Sequence, residues 1–162
     1  MATVDGGPHD HPRTTAKIAT HPIHPMLIPF PIAFFVSTFL ADLAFWQTGD
    51  EFWGTAAIWL LGAGLVMAAL AAIVGVIDVL GEARIRALND AWLHAGGNVI
   101  AVLIELYNFY LRYEQGSAAI VPTGAALSAL VVLILLFTGW KGWNLVYRHG
   151  VGVAGTGRND RV

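Results

Sequence analysis

Four apolar stretches, at about residues 26–46, 56–80, 91–111 and 118–140, dominate this chain of 162 residues. A helix rises about 1.5 Å per residue and the hydrocarbon core of a bilayer is about 30 Å thick, so each stretch suffices to cross it. The sequence therefore predicts an all-α integral membrane protein. With 56% hydrophobic and 12% charged residues, little is left for a soluble domain once four spans are subtracted. Short connections predict an up-down-up-down bundle of four transmembrane helices over residues 21–151. Residues 1–20 and 152–162 read as disordered tails that lack an apolar face. No internal repeat is legible.

Charge orients the bundle. Arg13, Lys17, Arg84, Arg86, Lys141, Arg148, Arg158 and Arg161 belong to the two tails and the second loop, whereas the first loop has no Lys or Arg and the third only Arg112. Short loops rich in Lys and Arg stay in the cytoplasm, so both termini are expected inside. No apolar run of signal-peptide length occurs in the first twenty residues, and the first span is expected to act as its own uncleaved insertion signal. A net charge of −2 argues against nucleic acid as a partner. The absence of cysteine excludes disulfides, thiolate metal sites and cysteine-ligated iron–sulfur clusters.

Pro22, Pro25, Pro29 and Pro31 crowd the entry to the first span. Proline removes a backbone donor and disfavours helix in the residue before it, so residues 21–31 are expected to be irregular or kinked. Trp46, Trp53 and Trp59 mark one membrane interface and Trp92, Trp140 and Trp143 the other. Ala71-xxx-Gly75 and Gly124-xxx-Ser128 suit close helix packing in lipid.

Ionisable groups inside a span are costly to insert, about 2.5–3.5 kcal/mol each at the helix centre, and so ask for a reason. The third span carries His94, Asn98, Glu105 and Asn108. At 100° per residue these fall within about 40° of His94, one stripe that must face the bundle interior. Asp42 lies at the depth of Glu105 and Asn108. Asp78 lies at the depth of His94, Asn98 and the His21–His24 segment. Two polar layers result. The outer acids read either as solvated or hydrogen-bonded groups or as a pair that shares a proton and serves a proton path.

The inner layer suits a cofactor. Imidazole is the usual axial ligand of b-type haem, and an amide or carboxylate commonly holds the second ring nitrogen. In the haem reading His94 pairs with His21 or His24, Asp78 and Asn98 support them, Gly96 and Gly97 admit the macrocycle, and Arg84, Arg86 or Arg148 meets its propionates. In the metal reading His21, His24, His94 and Asp78 bind zinc or iron. His149 can join either set. Both glycines also fit plain helix contact, and the histidines can serve structural hydrogen bonds.

His21-Pro-Ile-His24-Pro-Met-Leu-Ile-Pro29-Phe-Pro31, Gly75-x-x-Asp78, His94-x-x-x-Asn98 and the segment from Asn144 to Val153 together resemble the bacterial membrane family called domain of unknown function 2231, over about residues 18–153. The resemblance implies a four-span protein of the bacterial inner membrane without an assigned activity. Some relatives are fused or adjacent to Rieske-type iron–sulfur domains, which implies redox work by association. Where many relatives have Gly-Gly before Leu-Val-Tyr, this chain has Gly142-Trp143-Asn144, which weakens a close-approach role there.

The expected function is electron transfer by a haem- or metal-binding membrane protein, with a quinone or an iron–sulfur protein as partner. The alternatives are a non-catalytic accessory subunit of a larger complex and a small ion or proton transporter, for which a homo-oligomer would supply further helices.

Overall fold

The computed structural model describes residues 11–19 and 21–153, which form an all-α molecule apart from one short two-stranded ribbon. The strands are β1 (Lys17–Ile18) and β2 (His21–Pro22), paired antiparallel. A short helix α1 (Ile23–Leu27) follows, then α2 (Pro29–Thr48), α3 (Glu51–Gly81), the turn-like α4 (Ala83–Arg86), α5 (Asn89–Gln115) and α6 (Ala125–Trp143). Four of these helices are long and apolar, compatible with a membrane bundle.

Local chemistry accounts for the boundaries. Helix α1 stops at Ile28 because Pro29 offers no N–H to continue it, and α2 restarts with proline in its first turn, where the donor is not needed. The kink expected over 21–31 is this break. Gly49 ends α2 with φ +65°, a left-handed geometry that glycine adopts at no steric cost, and Asp50 then caps α3 by accepting from the Phe52 N–H at 2.9 Å. Gly116, at φ +62° and ψ −143°, ends α5 in a different positive-φ geometry open to glycine, before a 3₁₀ turn (Gly116–Ala119) and a wide turn (Ile120–Gly124) lead into α6. Glu82 caps α4, and its carboxyl is pulled down to about 2 by hydrogen bonds from the Arg84 side chain and backbone N–H.

Neighbouring helices run antiparallel. His24 and Phe35 of the first arm reach Gly75 and Gly64 of α3, while His94 and Asn108 of α5 reach Thr138 and Ser128 of α6. The two hairpins then pack crosswise, α2 on α6 and α3 on α5. A core of Phe35, Leu61, Ala68, Ala101 and Val131 fills the centre.

The hairpins repeat one another. Pro31, Phe35, Thr38 and Asp42 are buried in α2, and their counterparts 70 positions later, Ala101, Glu105, Asn108 and Arg112, are buried or nearly so in α5. Ala57, Leu61, Gly64 and Ala71 of the second helix correspond, 67 positions on, to Gly124, Ser128, Val131 and Thr138. Both hairpins begin at the same end of the bundle, as in parallel repeats related by an axis along the membrane normal. None of these eight pairs is identical in residue type. The same offsets relate His24 to His94 and Gly75 to Gly142, which are identical, so outside these two positions the repeat is carried by burial and position.

Residues 11–19, within the stretch expected to be a disordered tail, lie across the terminal end of the bundle. The Asp78 carboxylate accepts from the N–H groups of Thr15 and Ala16, both at 2.7 Å, and the Gly152 N–H donates to the Pro12 carbonyl at 3.0 Å. Residues 1–10, with His9, and residues 154–162, with Arg158 and Arg161, lie outside the described residues.

Candidate functional site

The inner polar layer is built by one contact made twice. His24, held at the start of the first arm by the proline break, donates from Nδ1 to the Ala71 carbonyl of α3 at 2.9 Å. Its ring rests on Gly75, where a Cβ would come within 3.1 Å of Cε1. His94, one turn into α5, donates from Nδ1 to the Thr138 carbonyl of α6 at 2.8 Å, and its ring rests on Gly142 with the same 3.1 Å clearance to a Cβ. A carbonyl oxygen only accepts, so each imidazole in its neutral form carries its proton on Nδ1 and keeps the Nε2 lone pair.

The two rings meet edge to face, centroids 6.2 Å apart and planes at 82°. Asn98 supports His94: its amide donates to Nε2 at 3.3 Å and to the His94 carbonyl at 2.8 Å, and its oxygen accepts from the Thr138 hydroxyl at 3.2 Å.

The remaining expected site residues stand apart from this pair. His21 is exposed on the ribbon and Arg148 is exposed after α6. Asp78 is occupied by the Thr15 and Ala16 amides. The set of His21, His24, His94 and Asp78 is thus not drawn around one point, and no group of three or more His, Asp or Glu among the described residues is placed to share a metal ion. Of the glycines expected to admit a macrocycle, Gly97 abuts the Thr138 side chain and Gly96 faces open space. Gly142 does allow a close approach, that of His94.

His149 belongs to another cluster, centred on Asp90. That carboxylate accepts from Lys141 Nζ at 3.0 Å, His149 Nε2 at 3.2 Å and Asn144 Nδ2 at 3.3 Å, which ties the start of α5 to the end of α6. Spacing gave no reason to select Asp90, because its partners lie more than fifty residues away.

The outer layer holds more charge than the sequence suggested. Asp42 of α2 and Arg112 of α5 form a bidentate ion pair, at 2.6 and 2.7 Å, with the two residues 0% and 2% exposed. The Ser128 hydroxyl donates to Asp42 at 2.8 Å, Arg112 Nε donates to Asn108 Oδ1 at 3.0 Å, and the Asn108 amide donates to Glu105 Oε2 at 2.9 Å and Ser128 Oγ at 3.1 Å. The apolar stretch places Arg112 in the third loop, whereas it belongs to the last turn of α5 and the bundle interior. The two layers are separated along α5 by Ala101, packed among Phe35, Leu61, Ala68 and Val131.

The stripe of His94, Asn98, Glu105 and Asn108 faces inward, and Arg112 extends it. Eighteen residues is five helical turns at 3.6 residues each, so Arg112 falls directly in line with His94. That spacing was the available signal. It was lost because the apolar stretch ends at residue 111.

No curated protein and no solved structure matches the chain. Residues 20–155, which contain both polar layers, match the model of a family described as "Predicted membrane protein (DUF2231)". The chain belongs to that family.

Proposed function

We propose that this membrane protein holds a redox-active cofactor between His24 and His94, with b-type haem the group that a two-imidazole donor set suits best. The observation that carries the reading is that both Nδ1 atoms are tied to backbone carbonyls, the arrangement that frees Nε2 for iron and fixes ring orientation. Spacing supports it. Two imidazoles on one metal, each with a bond of about 2 Å, put their ring centroids about 6 Å apart, against 6.2 Å here. Binding requires Asn98 to release His94 Nε2 and the helices around the pair to part and admit the macrocycle. Arg148, exposed at the same end, is available to a propionate. A four-ligand zinc or iron site is the weaker fit, because His21 and Asp78 do not converge on the pair.

The same reading takes four spans in the inner membrane of a bacterium, both termini in the cytoplasm, and a quinone or an iron–sulfur protein as redox partner. The test is the visible spectrum of detergent-purified protein with metal analysis on the same sample. A Soret band, lost or shifted in His24→Ala and in His94→Ala while both variants stay inserted, is the expected result. Wild-type protein expressed with haem supplied and still lacking the band would refute it.

A second reading follows from the Asn98 amide on His94 Nε2. The two histidines then serve as docking pins of an accessory subunit in a larger complex, and the alanine variants lose stability without losing any chromophore.

A further inference from the structure

The outer layer contains two carboxylates and one guanidinium, all buried: Asp42 and Glu105 at 0% and Arg112 at 2% exposure. Arg112 turns both terminal nitrogens to Asp42 and its Nε to Asn108, and Nη2 also reaches Ser128, so Glu105 receives no direct bond from it. Glu105 Oε2 accepts from Asn108, whereas Oε1 is buried without a partner among the described residues. An ionised Glu105 would leave one uncompensated negative charge in an interior that solvates it poorly, while a proton on Oε1 removes that charge. The charged groups facing it are Asp42 from α2 and Arg112 from α5. Helix α6 contributes the neutral Ser128, and α3 contributes only Glu51, at the surface.

The two sides of Glu105 differ. Towards the chain termini Glu105 is backed by Ala101 and the apolar core. Towards the opposite end lies a recess of about 340 Å³ with Glu51, Thr55, Arg112, Ser117 and Ile120 in its wall, and Arg112 in turn donates from Nε to Asn108, the residue bonded to Glu105. We infer that Glu105 is a proton-binding site, holding an exchangeable proton on Oε1 that is supplied from the end of the bundle carrying the Gly49 and Gly116 turns. This does not depend on a cofactor at the histidine pair.

The test is infrared difference spectroscopy between acid and alkaline pH on the full chain in phosphatidylcholine vesicles. A carbonyl band of a protonated carboxyl that disappears at high pH, shifts in D₂O and is missing from Glu105→Gln is expected. Its absence from wild type at every pH, or its persistence in Glu105→Gln, overturns the assignment. Should that variant fail to insert, wild-type protein labelled with ¹³C in glutamate alone or aspartate alone decides the matter: the band must move with the glutamate label, and movement with the aspartate label refutes the site. Thr55→Trp, in the wall of the recess, should slow the D₂O shift several-fold. An unchanged rate would overturn the route.

Discussion

Arg112 and Asp42 pair across the bundle with their side chains closed to solvent. A buried ion pair with both guanidinium nitrogens engaged is costly to break from one side, since the surviving charge stays unpaired. Arg112→Gln is therefore expected to destabilise the protein by about 3–5 kcal/mol, read as a lowered midpoint of thermal unfolding in detergent. Replacing Asp42 and Arg112 together with leucine should cost less than the two single changes added, because no charge is stranded. Additive losses would show that the pair is not the unit. The glycines beside the histidines make a second case. Gly75→Ala and Gly142→Ala each bring a methyl within 3.1 Å of an imidazole, so a loss of about 1–3 kcal/mol is expected from overpacking, read as a lowered midpoint of thermal unfolding in detergent. His94, Asn98, Glu105 and Asn108 were legible as one face from spacing alone. Thr138, Ser128 and Asp90 were not, since what makes them part of a site is a partner on another helix.

Among the elements, the apolar stretches located all four long helices, but their ends were decided by caps and turns. Helix α3 runs Glu51–Gly81 and α5 runs Asn89–Gln115, each longer than its apolar stretch, because Asp50 and Gly116 supply the start and stop that hydropathy does not see. Moving Arg112 into the bundle also sharpens orientation. The end with the Gly49 and Gly116 turns is left without Lys or Arg among its loop residues, whereas Arg13, Lys17, Arg84, Arg86 and Arg148, with Lys141 in the last turn of α6, lie at the opposite end. Both termini should therefore be cytoplasmic: a periplasmically active reporter fused after Val162 should be silent and one inserted at Gly49 active. The reverse pattern would invert the bundle.

For the whole molecule, the consequence of the repeat is that each helical hairpin is a packing unit whose polar groups are completed by the other. Asp42 meets Arg112 and His24 meets His94 across the two halves. Fragments 1–88 and 89–162 expressed together are expected to assemble into the native bundle, scored by co-purification. Assembly should be lost with Arg112→Gln in the second fragment, while fragments that associate equally well with and without the pair would deny it that role. Composition and hydropathy alone determined that this chain is a helical membrane protein, because the cost of unsatisfied backbone in lipid leaves few alternatives to long apolar helices. Periodicity alone determined which face of α5 points inward. The tertiary structure decided that His24 meets His94, that Arg112 neutralises Asp42, and that Glu105 keeps an oxygen without a partner among the described residues. Those outcomes depend on which helix lies against which and at what height, and a residue's neighbours along the chain carry no record of that once the two halves of a repeat have diverged.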